Sequence, residues 1–392
     1  MNIETISAIS AMLNSVYATV EYPALNLLMQ EWKCTLPFEG LRVLVATPVF
    51  RNTMLEYLAL LCGGAELAVG RAGSTGTSDG SASESSESSM PCDEKIVEFL
   101  GNIGVDVLAP RDVLALEAEG DYFDLILDCA GQFSKCHPRY GFVELTRSGV
   151  HFFENSEVPV FVADSGIVKR IETSLGTGEG YVRALKQLGY ADFEGKNFVV
   201  FGSGKVGSGI VLQLLREGAS VQVVTDKSYG INAFLDANGV PVTDCHELQK
   251  VAALIREADF VVTATGVKDA LANPALTAAL NETHAVLANM GVEDEFGEGV
   301  PESRVLAKKS PLNFILEEPT HLKYIDASLA LHAALGERLM QEVTGMVAAE
   351  GGRLRNPPAD LEQRLLMVTI QNGSIGPEIM EMLGGLPGSC EE

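Results

Sequence analysis

The residues with the clearest chemical potential are three glycines in the order Gly-x-Gly-x-x-Gly, which follow the apolar run Phe198-Val-Val-Phe. Gly202 permits a sharp turn off a strand, Gly204 lets the backbone approach a pyrophosphate, and Gly207 lets the next helix pack closely on the strand. The amides at the start of that helix would face the phosphates with the positive end of the helix dipole. The spacing therefore predicts a phosphate-binding turn between a strand and a helix.

A second apolar run, Val221-Gln-Val-Val-Thr, predicts another strand and ends at Asp226, about 20 residues after the glycines. A carboxylate in this position accepts hydrogen bonds from the ribose hydroxyls of NAD and repels the additional phosphate of NADP. Strand, turn, helix and strand together predict a Rossmann-type domain that binds NAD. A glycine-rich turn in an α/β domain without a cofactor is the alternative.

Composition limits the partners of the protein. The chain has 392 residues and a formal net charge of −25, and 46% of its residues are hydrophobic, which allows two globular domains. The negative charge argues against nucleic acid and anionic membranes, both of which require a basic surface. The sequence has no apolar run of about 20 residues and no basic N-terminal segment of a signal peptide. We therefore expect a cytoplasmic protein that acts on a small-molecule substrate.

The cysteines and histidines give no strong motif. Seven cysteines are an odd number, and the sequence has neither Cys-x-x-Cys nor His-x-x-x-His, so it indicates neither a disulfide framework nor a zinc site. Cys129, Cys136 and His137 allow either a metal or thiol site or reduced, partly buried cysteines. Four further histidines are expected at the surface, at strand edges or in packing: His151, His246, His284 and His332.

Alternating strand and helix patterns predict an α/β protein with doubly wound parallel sheets. We assign residues 1–185 to a first α/β domain, residues 190–325 to the Rossmann domain, and residues 326–392 to C-terminal helices that return to the first domain. The first domain is then assembled from N- and C-terminal segments. Residues 71–91 are rich in Gly, Ser, Thr and Glu, which predicts a disordered insertion.

Two aspartates lie where predicted strands end. Asp128 follows Leu125-Ile-Leu, and Asp164 follows Val160-Phe-Val-Ala. Open α/β sheets place ligand groups at the carboxyl ends of their strands, so both are candidate catalytic or ligand groups. Carboxylates in this position also cap helices, and the sequence leaves both roles open.

Several short motifs, in their order along the chain, resemble the S-adenosylhomocysteine hydrolase family. Ile126-Leu-Asp-Cys-Ala-Gly is similar to the family's Ile-Leu-Asp-Asp-Gly-Gly. Glu144-Leu-Thr-Arg-Ser-Gly-Val-His is similar to its Glu-Glu-Thr-Thr-Thr-Gly-Val-His. The glycine motif, Thr265-Gly266 and Asn289-Met-Gly follow in the same order, so that the resemblance covers most of the chain.

The resemblance implies a two-domain homo-oligomer, a dimer or tetramer, that holds NAD tightly. In that family NAD oxidises the 3′-hydroxyl of the substrate's ribose, the 5′ thiol is eliminated, water adds, and the ketone is reduced again. Most of the family's cofactor contacts keep suitable chemistry, and the strand end at Gly266 would face the nicotinamide. Carried over by position, these contacts are Gly204, Lys205, Val206, Asp226, Asn232, Thr265, Asn289, Asn313, Thr146, Ser148 and Thr173.

The substrate side of the family pattern is not retained. Losing one general acid or base typically lowers a rate by a factor of about 10² to 10⁴. We therefore expect a remodelled substrate site. The family's polar substrate and proton-transfer positions fall, in chain order, on Ala46, Cys129, Leu145, Val168 or Lys169, Glu172 and Val292.

Other polar groups are candidates for the missing acid and base. His321 lies in the run Glu318-Pro-Thr-His-Leu-Lys, and a histidine with an orienting carboxylate suits hydride transfer to or from a carbonyl. Lys323 or Lys169 could polarise that carbonyl, and Glu172 could orient Lys169. A helix-capping loop with surface charges is the alternative for this segment.

The sequence thus predicts an NAD-dependent oxidoreductase, or an adenosylhomocysteinase-like hydrolase or lyase, that oxidises a hydroxyl- or amine-bearing small molecule. A simple dehydrogenase and an enzyme that follows oxidation with elimination and reduction both remain open. The alternative from another class is a catalytically silent NAD-binding homologue that regulates a partner.

Overall fold

The computed structural model describes residues 3–71, 92–230, 232–349 and 351–383. Except for Arg71, the insertion predicted at residues 71–91 lies outside these ranges. Of the helices in the described ranges, none combines the length and the apolar character that crossing a membrane requires.

Strands and helices alternate along the described residues, as the sequence pattern predicts for an α/β protein. The strands are β1 (Arg42–Val45), β2 (Glu66–Gly70), β3 (Asp106–Leu108), β4 (Leu125–Asp128), β5 (Gly141–Glu144), β6 (Val160–Val162), β7 (Asn197–Phe201), β8 (Ser220–Thr225), β9 (Val242–Asp244), β10 (Phe260–Thr263), β11 (Val286–Asn289) and β12 (Leu354–Arg355). The helices are α1 (Ile3–Asn14), α2 (Pro23–Thr35), α3 (Met54–Cys62), α4 (Glu94–Asn102), α5 (Pro110–Ala118), α6 (Val168–Arg170), α7 (Thr177–Gln187), α8 (Lys205–Arg216), α9 (Ala233–Ala237), α10 (Leu248–Glu257), α11 (Pro274–Glu282), α12 (Leu322–Val343), α13 (Ala359–Asn372) and α14 (Gly376–Leu383).

The first compact unit consists of Met1–Lys169 and Ile325–Gly376. It contains a seven-stranded sheet in the order β12-β6-β5-β4-β1-β2-β3, and its ladders are parallel. Parallel strands need crossover helices that cover both faces of the sheet, so central strands such as β4 are buried throughout. Since β12 comes from the C-terminal segment, this unit is assembled from both ends of the chain, as predicted.

The second unit consists of Arg170–Tyr324 and Pro377–Glu392. Its five-stranded parallel sheet has the order β11-β10-β7-β8-β9, so the chain leaves the central β7 first to one side and then to the other. This is the doubly wound arrangement that the sequence predicts, and the glycine motif follows its central strand. Phe198 and Phe260 stack across β7 and β10 with ring centroids 4.4 Å apart.

The break between the two units lies earlier than the boundary predicted near residue 185. Helix α7 belongs to the second unit because it packs closely on α8, where a side chain at Gly178 would overlap the backbone of Gly209. The C-terminal segment is divided between the two units at Gly376. The part after Gly376 belongs to the second unit, where Arg216 of α8 forms ion pairs with Glu378 and Glu381.

The N-terminus of α2 is capped by a residue far away in sequence. Tyr22, which precedes the helix, makes no side-chain capping bond. Instead, Asp326 of α12 accepts hydrogen bonds from the amides of Ala24 at 2.9 Å and Leu25 at 3.0 Å. Asp326 has no exposed surface, so these two buried N–H groups depend on its carboxyl group.

We expect Asp326→Ala to lower the free energy of unfolding by about 1–3 kcal/mol, because it leaves buried amides at a helix N-terminus without an acceptor. Asp360→Ala is the matched control, since this exposed aspartate lies in the first turn of α13 and its loss should cost less than about 1 kcal/mol. Urea denaturation measures both variants. Equal effects would contradict the capping role.

The same carboxyl group gives a pH dependence of stability. Burial raises the pKa of Asp326 to about 7. Because the raised pKa favours the protonated form in the folded state, its stabilising contribution is complete below the unfolded pKa of about 4 and is lost as the pH rises through 7. The stability of the wild type relative to Asp326→Asn, which cannot ionise, should therefore fall between about pH 4 and pH 8. A constant difference over that range would show that this carboxyl group does not titrate as described.

Candidate functional site

The turn after β7 has the geometry that the three glycines predict. Gly202 has a φ of +105°, which L side chains rarely adopt, and a side chain there would overlap the backbone of Ala264. A side chain at Gly207 would overlap the carbonyl oxygen of Gly202, so α8 begins in direct contact with the turn. At Gly204, by contrast, nothing lies within 4 Å of the position of a Cβ atom. The turn is closed toward the protein and open at Gly204.

Asp226 presents an ionised carboxylate at the carboxyl end of β8. Its Oδ1 accepts a hydrogen bond from the amide of Ser228 at 2.8 Å, and its Oδ2 lies 3.6 Å from Nε2 of His246. Hydrogen bonds from Ser228 hold the pKa of Asp226 below its ordinary value, and His246 lowers it further. About a third of the side chain is exposed, at 31%. The carboxylate can therefore accept hydrogen bonds from the hydroxyls of a ligand.

Asn232 connects the glycine turn to the segment that follows β8. Its side-chain nitrogen donates to the carbonyl oxygen of Ser203 at 3.0 Å and to Oγ of Ser208 at 2.8 Å. Asn232 therefore holds the turn in place. Next to the turn, Lys205 is exposed at the start of α8, and Val206 packs against the apolar core of the second unit.

A buried carboxylate holds the backbone beyond β10. Glu295 has no exposed surface and accepts hydrogen bonds from the amide and hydroxyl of Thr265, at 2.8 and 2.7 Å, and from the amide of Gly266 at 2.7 Å. Burial raises the pKa of Glu295, and these hydrogen bonds oppose the rise. Sequence reasoning missed this residue, because Glu293-Asp-Glu has the composition of a surface cluster and only the fold shows that one acid points inward.

Asn289 lies behind the loop that follows β11, with no exposed surface. Its Oδ1 accepts hydrogen bonds from the hydroxyl of Thr263 and the amide of Gly291. Both polar atoms of the Asn289 side chain therefore bind within the protein. Asn313, also a predicted cofactor contact, is 7% exposed. The side-chain nitrogen of Asn289 donates to the carbonyl oxygens of Gly291, Glu293 and Lys309.

Thr173 and Glu172 lie on a π-helical segment, Ile171–Gly176, directly before α7. Both residues are half-buried in the second unit. A side chain at Gly209 of α8 would overlap the carbonyl oxygen of Ser174, so this segment packs directly on the helix that starts at the glycine turn. Single π-helical turns are rare and often occur at functional sites.

Thr146 and Ser148 belong to the first unit, where a buried acid holds their loop. Glu144 accepts hydrogen bonds from the amide of Thr146 at 2.7 Å and from its hydroxyl at 2.6 Å. The same carboxylate accepts from the amides of Ala130 and Gly131, and Ser148 donates to the hydroxyl oxygen of Thr146 at 3.2 Å. Most polar atoms of this loop therefore form hydrogen bonds within the first unit.

Asp128, a predicted catalytic residue, has no exposed surface at the end of β4. It accepts hydrogen bonds from the amides of Cys129 at 2.8 Å and Phe133 at 2.9 Å. Burial raises the pKa of Asp128 well above its ordinary value, and the neighbouring Glu144 raises it further. In the structure Asp128 is a capping group rather than an exposed acid. Asp164 similarly accepts from the amide of Arg147 at 2.9 Å.

His321 has a carboxylate beside it, although that carboxylate comes from α7 and not from its own loop. Its Nδ1 lies 3.5 Å from Glu179, which also accepts a hydrogen bond from Arg183 at 3.0 Å. Burial lowers the pKa of His321 below its ordinary value; Glu179 opposes this effect and Arg183 adds to it. The lowered pKa favours the neutral ring at pH 7, and in the tautomer with Nδ1 protonated toward Glu179, Nε2 is the acceptor.

The remaining candidates for catalysis differ in burial and in unit. Lys323 is half-buried, and its Nζ lies 4.8 Å from the centroid of the Tyr324 ring. Lys169 is 3% exposed and belongs to the first unit. His321, Lys323 and Glu172 thus lie in the second unit, whereas Lys169 and Asp128 lie in the first.

The positions where the family resemblance expects polar groups also differ in exposure. Ala46, Cys129, Leu145 and Val168 are buried in the core of the first unit. Val292, in the second unit, is 71% exposed. The buried aliphatic side chains cannot transfer protons, so any acid or base must come from other residues.

The other cysteine and histidine candidates are structural. Within the described ranges, Cys129, Cys136 and His137 do not form a group that could hold a metal ion. Both cysteines are reduced and buried. His332 packs inside the first unit as expected, with its Nδ1 2.8 Å from Glu56 and neither side chain exposed.

The glycine turn and Asp226 lie in a segment that matches a known family. Residues 174–298 match the family model described as S-adenosyl-L-homocysteine hydrolase, NAD binding domain. An adenosylhomocysteinase from Thermoplasma acidophilum is 26% identical over 334 residues, which cover 78% of this chain and 74% of that protein. The chain is thus similar to adenosylhomocysteinases over most of its length, and residues 174–298 are similar to the NAD-binding domain of that family. An S-inosyl-L-homocysteine hydrolase from Methanosarcina mazei is 25% identical to this hydrolase-like chain over 285 residues, 70% of the chain and 67% of that protein. Among solved structures, a dipicolinate synthase chain from Bacillus halodurans has a TM-score of 0.49 and 16% identity, and the match covers 78% of this chain and 99% of that one.

NAD is the cofactor of this hydrolase-like domain. The residues present fit the dinucleotide, because the turn leaves room at Gly204 and the amides of α8 begin at that opening. Asp226 offers an ionised, partly exposed acceptor for ribose hydroxyls. The turn and Asp226 would hold the cofactor. At Gly266, no protein atom lies within 4 Å of the position of a Cβ atom.

Gly204→Ala should leave stability unchanged, because its Cβ meets no protein atom, yet lower NAD affinity at least about tenfold by occupying space at the phosphates. Gly207→Ala is the matched variant with the opposite expectation. Its Cβ would overlap the carbonyl oxygen of Gly202, so it should lower the free energy of unfolding by about 1–3 kcal/mol. Calorimetric NAD titration and urea denaturation distinguish them. Unchanged NAD affinity in a folded Gly204→Ala protein would exclude the proposed phosphate position.

Proposed function

We propose that this chain is an NAD-dependent enzyme that oxidises a hydroxyl- or amine-bearing small molecule, with a substrate site changed from that of its hydrolase relatives. When bound, NAD supplies the hydride acceptor. The observation that carries the proposal is the pairing of His321 with Glu179 in the same unit as the glycine turn. A neutral imidazole held by a carboxylate is a general base with a defined acceptor nitrogen.

Each proposed role follows from the contacts of the side chain. Oxidation of an alcohol removes a hydride from carbon and a proton from oxygen, and Nε2 of His321 accepts that proton. Glu179 then stabilises the imidazolium that forms. Lys323 is the proposed group for polarising the carbonyl oxygen, and Lys169 of the first unit is the other candidate for this role.

The names of the relatives suggest the substrates to test first. One relative is an adenosylhomocysteinase and another an S-inosyl-L-homocysteine hydrolase, so nucleoside thioethers are the first class of probe. The buried Ala46, Leu145 and Val168 support a reaction that differs from theirs, because these side chains offer no acid or base. The proposal therefore includes both simple dehydrogenation and oxidation followed by loss of a thiol.

A catalytically silent NAD-binding homologue that regulates a partner is the second candidate. The same three buried aliphatic residues favour it, since they stand where the resemblance expects catalytic side chains. The ordered pair of His321 and Glu179 favours the enzyme. With either function, we propose a cytoplasmic homo-oligomer, a dimer or tetramer, following the family resemblance.

Turnover by the full chain tests the proposal and the role of His321 together. S-Adenosylhomocysteine, S-inosylhomocysteine and a panel of alcohols and amines are incubated with protein and NAD, and both NADH formation and thiol release are followed. With an active substrate, His321→Gln should lower kcat by a factor of about 10² to 10⁴, because it removes the general base. His284→Gln, an exposed histidine in the same unit, should leave kcat unchanged. NAD binding without turnover of any probe would favour the silent homologue.

The pH profile gives a sharper readout of the same residue. Because burial lowers the pKa of His321, its neutral form persists below the ordinary value of about 6.5. The kcat/KM of the wild type should therefore decline only as the pH falls through that lowered pKa. His321→Gln should lose this acidic limb. A profile in which the rate instead declines as the pH rises through neutrality would contradict the assignment of His321 as the base.

A further inference from the structure

Three side chains with metal-binding atoms meet at one edge of the second sheet. Asp226, Cys245 and His246 each offer one such atom, and the three atoms lie within 4.8 Å of one another. Among the described residues, these three form the one cluster of His, Cys, Asp and Glu side chains that could hold a metal ion. The sequence gives no zinc motif here, because Cys245 and His246 are adjacent, Asp226 precedes them by about 20 residues, and this spacing matches no common zinc site.

The register of two parallel strands explains how these residues meet. Thr225 of β8 pairs with Asp244 of β9, and the amide of Cys245 donates to the carbonyl oxygen of Thr225 at 2.9 Å. Asp226 and Cys245 therefore leave adjacent strands at the same edge. The amide of His246 then donates to Oδ1 of Asp244 at 2.9 Å, which fixes the turn that brings the ring to Asp226.

The chemistry of the three ligands suits a thiophilic divalent cation. Thiolate, imidazole and carboxylate are the ligands of zinc, and three protein ligands with an open fourth position are common at zinc sites. Tetrahedral zinc places its ligand atoms about 3.5 Å apart, so a shift of about 1 Å would complete the site. The side chains of His246 and Asp226 are 76% and 31% exposed and can make this shift by rotation. Cys245 is half-buried and reduced.

We propose that Asp226, Cys245 and His246 bind a thiophilic divalent cation, and that this cation and NAD exclude each other at Asp226. The second half of the proposal rests on the proposed function, in which Asp226 accepts hydrogen bonds from the cofactor's ribose. Oδ1 of Asp226 already accepts from Ser228, and Oδ2 faces His246. A cation on Oδ2 therefore removes the acceptor that a ribose needs. Because binding equilibria are reciprocal, NAD must weaken the cation to the same extent.

Cobalt tests the site without reference to the cofactor. Nucleotide-free full-length protein is titrated with Co²⁺ under reducing conditions, and the thiolate-to-cobalt charge-transfer absorption is recorded. We expect one Co²⁺ per chain, no charge-transfer band in Cys245→Ser, and at least about tenfold weaker binding in His246→Ala. Cys34→Ser and His284→Ala remove exposed side chains of the same types and should behave as the wild type. A missing band, or one that persists in Cys245→Ser, would overturn the site.

Zinc then tests the exclusion. The dissociation constant of NAD is measured with and without Zn²⁺, which should raise it about ten- to hundredfold in the wild type. Cys245→Ser should bind NAD as the wild type does but lose the response to Zn²⁺. A cobalt band with an NAD affinity that ignores Zn²⁺ would overturn the exclusion. A cobalt band in a protein that never binds NAD would instead overturn the proposed function, and the cation site would stand.

Discussion

The contact between the carbonyl oxygen of Gly202 and the backbone at Gly207 is the constraint on which the cofactor unit depends. No side chain fits between them, so the helix after the central strand must begin directly against the turn. This contact aims the first amides of α8 outward at Gly204, where no protein atom occupies the space. The rest of the unit supports this arrangement, since Asn232 binds the turn and α7 packs on α8 at paired glycines. The phosphate-binding turn therefore forms because glycines leave room for close backbone contacts, and these contacts make it rigid.

Buried carboxyl groups that accept hydrogen bonds from backbone amides occur at several places in this acidic chain. Glu295 fixes the backbone beyond β10, Glu144 and Asp128 fix the loops beyond β4 and β5, and Asp326 caps α2. All four have no exposed surface. Each accepts hydrogen bonds from backbone amides that would otherwise be buried without a partner, which is a costly arrangement. Some of the acidic residues counted in the sequence therefore lie in the interior, where they order loops instead of aiding solubility.

The sequence predicted what depends on local pattern and missed what depends on tertiary contact. The run from β7 through α8 to β8 has long apolar segments and a glycine motif, and the structure confirms it. Strand β12 is only two residues long, too short for a periodic signal, and its pairing with β6 defines it. The sequence analysis named no carboxylate for His321, and the one beside it is Glu179, far away in sequence. The same holds for Glu295 and for Cys245 beside Asp226, because no spacing rule connects residues on separate strands and loops.

The central claim is that the glycine turn and Asp226 form an NAD site, and equilibrium binding to nucleotide-free protein tests it most directly. Full-length chain is titrated by calorimetry with NAD and, separately, with NADP. We expect one NAD per chain and at least about tenfold weaker binding of NADP, because the ionised Asp226 repels the additional phosphate. No measurable affinity for either dinucleotide, or equal affinity for both, would contradict this claim.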